Sequence, residues 1–190
     1  AEPVHTFADA ASLGEDLGPE QLRRALWRHS SEIDVLLPPP PEEAARLGPE
    51  ELRLVTDAAA GVADAVVVHL PRALGPMTLA GAETADRLLE VLTLDVVSFR
   101  ATSRAMEAFS HLHLEGRVAF VVNRSARSEV TPGDVERVFG ERALAVLPLE
   151  RGVRSAQERG RLLPARGRMA RRFDRLAAAL TDHDVDEIAS

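Results

Sequence analysis

Apolar residues recur along this chain in two alternating rhythms. Leu22, Leu26 and Trp27 fall at helical spacing after Gly18-Pro19-Glu20. This predicts a helix through His29 with Pro19 in its first turn, where a missing N–H costs nothing. Ile33–Leu37 reads as a short apolar strand stopped by the four prolines Pro38 to Pro41, a stiff connector inside one domain. Gly48-Pro49-Glu50 repeats the helix-start signal for a helix to about Val62. Ala65–Leu70 is continuous and valine-rich, the signature of a strand covered on both faces. Arg87–Thr93, Arg117–Val122 and Ala143–Leu147 read the same way. Helical stretches Met77–Ala85, Val96–Leu112, Pro132–Phe139 and Val153–Arg161 lie between them. Met169, Phe173, Leu176 and Leu180 are spaced as one apolar stripe of a C-terminal helix.

Strands alternating with helices at this spacing imply βαβ units and a mainly parallel sheet, an α/β fold with three layers, α/β/α. Ligands of such sheets sit at the carboxyl ends of the strands. The positions to inspect are therefore Pro38, His69–Arg72, Thr93–Ser98, Asn123–Arg127 and Pro148–Gly152.

Composition narrows the chemistry. All 23 basic residues among the 190 are arginine, against 30 acidic residues, giving a net charge of −7. Lysine and cysteine are both absent. That excludes a Schiff-base mechanism, a thiolate nucleophile, disulfides, and a complete phosphate-binding P-loop, whose lysine holds the terminal phosphates. The apolar runs fall far short of the ~20 residues needed to span a membrane. A cytoplasmic location is the expectation. Residues 151–175 hold nine arginines against Glu158 and Asp174, so this segment carries +7 and the rest of the chain −14. His111, His113 and Glu115 have metal-like composition, but helix positions two apart do not face one another.

Four segments carry a resemblance. Asp64-Ala-Val-Val-Val-His69-Leu-Pro71 is a hydrophobic strand ending near a proline. Thr84-Ala-Asp86, the strand after it and Asp95-Val-Val-Ser98 follow. Phe120-Val-Val-Asn123-Arg124 is a strand ending in asparagine, and Leu147-Pro148-Leu-Glu150 continues through Val153 and Ala156 to Gly160 and Leu163. In this order they resemble the Walker B strand, the next strand, the base-contacting strand and the base-side segment of the MinD/ParA class of P-loop ATPases. Arg28-His29-Ser30-Ser31-Glu32-Ile33-Asp34-Val35-Leu36-Leu37-Pro38 is similar to a strand of the CpaE/TadZ-like branch, whose actinobacterial members are linked to Flp-pilus or secretion loci and septum-site determination. The likeness runs from about His5 to Leu163. It implies an ATPase-type domain over residues 1–163, followed by a basic amphipathic helix and acidic tail over 164–190.

The resemblance further implies nucleotide contacts from Asn123, Arg124, Pro148 and Pro71. It also implies a homodimer that positions pilus, secretion or division machinery. The chain departs from the class in two ways. The glycine-rich phosphate loop and its strand are expected upstream of Ala1, so ATP and Mg²⁺ are expected only if that part is present. His69 stands where the class carries the Walker B aspartate, and a neutral imidazole offers a hard cation neither charge nor oxygen. Hydrolysis is therefore expected to be very weak or absent. The alternatives are an active positioning ATPase whose loop lies upstream, and a nucleotide-free structural adaptor. Arg166, Arg168, Arg171, Arg172 and Arg175 are the candidate partner surface. The C-terminal helix could dock its stripe on the sheet, meet an anionic membrane face or acidic partner, or, less favoured, contact DNA.

Overall fold

The computed structural model describes residues 6–126, 128–164 and 166–181. Two compact units are present, Ala1–Ala85 and Asp86–Ser190.

The first unit is mainly helical. Helix α1 (Phe7–Ala11) is capped at Thr6, whose backbone N–H donates to the Asp9 carboxylate at 2.7 Å. Helix α2 (Pro19–Ala25) starts at the predicted Gly-Pro but ends four residues before His29. The chain turns extended at Leu26 because Trp27–Arg28 (β1) pairs antiparallel with Asp34–Val35 (β2). Arg28 and Asp34 close that ribbon with an ion pair at 2.8 Å. The predicted strand Ile33–Leu37 is thus a two-residue ladder, with one further parallel bridge between Thr6 and Leu37.

After α3 (Pro41–Ala44), helix α4 (Pro49–Ala60) also begins at its predicted Gly-Pro. The Glu51 carboxylate accepts from the Gly48 N–H at 2.8 Å. Ala10, Ala11, Leu17, Leu22, Val55 and Ala58 from α1, α2, α4 and the intervening turn form a buried cluster. Helix α5 (Pro76–Thr84) joins through Arg53, which pairs with Glu50 at 3.0 Å and Glu83 at 2.7 Å.

Between α4 and α5 lies the main correction to the sequence reading. Ala65–Leu70 forms no strand, and Val67 is 93% exposed. A strand needs a backbone partner, and among the described residues none pairs with this segment. Only Leu70 is anchored. It packs so closely on Gly81 of α5 that a Cβ there would collide with Leu70 Cδ2.

The second unit carries the parallel sheet. Strands β3 (Leu88–Leu92), β4 (Val118–Ser125) and β5 (Ala145–Pro148) lie in the order β3-β4-β5, with both pairs parallel. Helix α6 (Val96–His111) connects the first two and α7 (Pro132–Phe139) the second two. Side chains alternate across a strand, so adjacent β4 residues serve opposite layers. Phe120 stacks on Phe139 of α7, with ring centroids 5.1 Å apart, and Phe139 meets Phe99 of α6 at 5.4 Å. Val121 joins Leu147 and Met169 in a second buried cluster, to which Val153, Leu163 and Leu176 add. Those residues bring in α8 (Arg151–Glu158) and α9 (Arg168–Thr181). Helices cover both faces of β4, the three-layer arrangement expected.

The C-terminal helix docks on β5 through part of its predicted stripe. Met169 is buried, while Phe173 stays exposed. The Arg172 guanidinium donates to the Val146 carbonyl of β5. Arg172 is therefore an anchor of the fold. Arg127 and the acidic tail after Thr181 lie outside the described residues.

Candidate functional site

Within the second unit, the carboxyl ends of the three strands collect polar groups at one end of the sheet. At the exit of β3, Asp95 caps α6. Its Oδ1 accepts from the Ser98 N–H at 2.8 Å, and its Oδ2 accepts a short bond from the Thr93 hydroxyl. These bonds stabilise the carboxylate and hold its pKa below the ordinary 3.8. The Ser98 hydroxyl in turn accepts from the Thr93 N–H at 3.0 Å. The exit is consequently a rigid polar knot.

At the exit of β4, the ladder slips between Val122 and Ser125. The slip surrounds Asn123, whose Oδ1 accepts from the Arg124 N–H at 2.9 Å. Arg124 sits in the left-handed region at φ 53°, which costs a non-glycine residue about 1–3 kcal/mol and places its side chain in solvent. Ser125 pairs with Pro148, and its carbonyl accepts from the Leu149 N–H at 2.9 Å. Asn123, Arg124 and Pro148 thereby stand at neighbouring strand ends. Ser128 was missed. Its hydroxyl donates to the Leu94 carbonyl at 2.9 Å and ties the β4 exit to the β3 exit. A lone serine in a loop carries no signal for that.

Just beyond, Glu150 opens α8 with its Oε2 buried; that oxygen accepts no hydrogen bond but forms an ion pair with Arg168 at 3.6 Å. His69 and Pro71 lie in the first unit. His69 is exposed in the unpaired segment. The Pro71 carbonyl accepts from the buried Thr78 hydroxyl at 3.2 Å. Of the predicted surface arginines, Arg166, Arg168, Arg171 and Arg175 are exposed, while Arg172 is partly buried against β5.

The site can present hydrogen-bonding groups and one guanidinium to a planar or anionic ligand. Its fit to Mg²⁺ with nucleotide phosphates is poor. These strand ends carry no lysine to grip a phosphate. Among the described residues no group of three or more His, Asp or Glu side chains is placed to hold a metal, the His111–Glu115 stretch included. No helix there is long and apolar enough to cross a membrane.

No protein-family model and no curated protein matches the chain. Solved structures do. A ParA family ATPase from Chlorobium tepidum TLS superposes with a TM-score of 0.78 at 17% identity, covering 93% of this chain and 74% of that one. The cell division ATPase MinD of Pyrococcus furiosus gives 0.78 at 20% identity, covering 95% and 77%. The septum site-determining protein MinD of Pyrococcus horikoshii OT3, complexed with Mg-ADP, gives 0.70 at 19% identity, covering 98% and 82%. At such identities the likeness establishes architecture alone. The chain has the α/β fold shared by MinD and ParA ATPases.

Proposed function

We propose that this chain is a degenerate MinD/ParA-type protein that acts as a CpaE/TadZ-like spatial organiser, working through partner binding in place of ATP turnover. One observation carries the reading. Asn123, Arg124 and Pro148, which the resemblance assigns to the base side, stand at neighbouring strand ends of a fold shared with MinD and ParA ATPases. These 190 residues include no lysine, and His69 stands where the resemblance puts the Walker B aspartate. Charge developing in phosphoryl transfer would find little to neutralise it. The proposed protein works as a homodimer in the cytoplasm, peripheral at the inner membrane face, with a component of pilus, secretion or division machinery as its partner. ATP and Mg²⁺ enter only alongside a phosphate loop supplied from outside these residues.

ATP titration and phosphate release on the complete protein, run beside His69→Asp, test this. The expected outcome is hydrolysis at or near background, with Mg²⁺-dependent ATP affinity increased in His69→Asp. Turnover at an ordinary ATPase rate in the unsubstituted protein would replace the proposal with an active positioning enzyme.

A further inference from the structure

Helix α9 has two faces of opposite character. Met169 and Leu176 pack in the buried cluster with Val121 and Leu147, and Arg172 is anchored on the Val146 carbonyl. Arg168, Arg171 and Arg175 are spaced three and four residues apart, so they share one face of the helix. All three are exposed. Arg168 pairs with Glu150 at 3.6 Å. Arg171 and Arg175 form no ion pair with any described residue, and Asp174, the one acid of α9, neutralises neither.

Past Thr181, where α9 ends, the sequence reads Asp182-His183-Asp184-Val185-Asp186-Glu187, four carboxylates in six residues. Acids placed directly after a helix C-terminus meet the negative end of its dipole and repel one another. The nearest unneutralised positive charges in sequence are Arg175 and Arg171. Reach permits the contact. Six residues of extended chain span about 20 Å. At 1.5 Å per residue, Arg175 lies about 9 Å and Arg171 about 15 Å back along the helix from Thr181. Arg168 is at the limit of that reach, and Glu150 already holds it. A tether this short keeps its charges at an effective concentration on the order of millimolar, which a freely diffusing anion must exceed.

We infer that the acidic segment Asp182–Glu187 of this same chain occupies the Arg171–Arg175 face of α9 and acts as a built-in competitor for anionic partners of that face. The contact is electrostatic and weakens with salt. It sets a threshold, because an external anion gains the arginines only by displacing four tethered carboxylates. Dense polyanions pass that threshold and isolated anions do not. The inference needs neither nucleotide nor the organiser role, so it stands apart from the proposed function.

The chain has no cysteine, so Val185→Cys gives the full-length protein a single attachment point for a nitroxide. At low salt the label is expected to broaden the Arg171 and Arg175 Nε–H resonances. That broadening should fall severalfold at about 0.5 M salt, and equally when Asp182→Asn, Asp184→Asn, Asp186→Asn and Glu187→Gln neutralise the segment. Dextran sulfate supplies the competition arm. Its affinity is expected to rise about fivefold in the neutralised protein at low salt, with no difference at high salt. Adding Arg171→Gln and Arg175→Gln, both at exposed positions, should abolish that gain. Broadening that ignores both salt and neutralisation overturns the inference, since a tether alone would produce it. So does dextran sulfate that binds both proteins equally or binds neither.

Discussion

Two valine-rich runs of the same chain meet opposite fates. Val118–Val122 lies in the middle strand of the second unit, hydrogen-bonded to β3 on one side and β5 on the other. Ala65–Val68 in the first unit has no ladder and stands in solvent. Propensity and hydrophobicity favour a strand equally in both. The difference is the neighbour. A β-strand is a property of a pair, and its favourable terms arise only when a second backbone and an opposing layer are present. A continuous apolar run therefore reports suitability for a sheet interior, and the structure reports whether the interior exists among these residues.

Three substitutions press on that contrast, in descending order of effect. Phe120→Ala removes a side chain only 1% exposed that stacks beneath α7. It is expected to cost about 3–5 kcal/mol by chemical denaturation. A loss close to that of a surface substitution would mean that β4 is not the core of its unit.

Glu90→Gln has a smaller, pH-dependent effect. Burial raises the Glu90 carboxyl above its ordinary pKa of 4.5, partly offset by the hydrogen bond from the Thr102 hydroxyl at 3.0 Å. With the folded pKa raised, the protonated acid's stabilisation is fully present below 4.5 and is lost as pH rises through the folded value. Glutamine keeps an acceptor for Thr102 without the charge. The substitution should raise the thermal midpoint at neutral pH and flatten its decline across that window. An unchanged pH profile would show that Glu90 is not the group responsible.

Val67→Ser is the smallest. At 93% exposure the residue has almost no packing to lose, so stability should change by no more than about 0.5 kcal/mol in denaturant melts. A loss of several times that would show that the run is buried in solution.

The second unit was the more legible. Its three strands and the helices between them stand within a few residues of the positions expected, because each strand pairs with a neighbour close in sequence. Both Gly-Pro helix starts were also readable, since proline fixes its own φ and suits a first turn. The early end of α2 was not. It depends on Glu32 adopting φ 67° in the connection that brings Asp34 back to Arg28, and no residue there advertises that geometry. The candidate site was half legible. Asn123, Arg124 and Pro148 could be named from their strand ends, but the ladder slip that orients them and the Ser128 tie depend on tertiary register. Arg172 looked like surface charge, and only its contact with Val146 distinguishes it from the exposed arginines nearby.

That contact also makes the sheet directional. Arg172 of α9 takes up the Val146 carbonyl on β5, whereas β3 ends the sheet on the other side with no further strand among the described residues. Fibril growth requires two open margins, one to recruit and one to be recruited. A margin where a guanidinium already occupies a backbone carbonyl is a poorer template for an incoming strand, so edge-to-edge addition of copies is disfavoured on the β5 side.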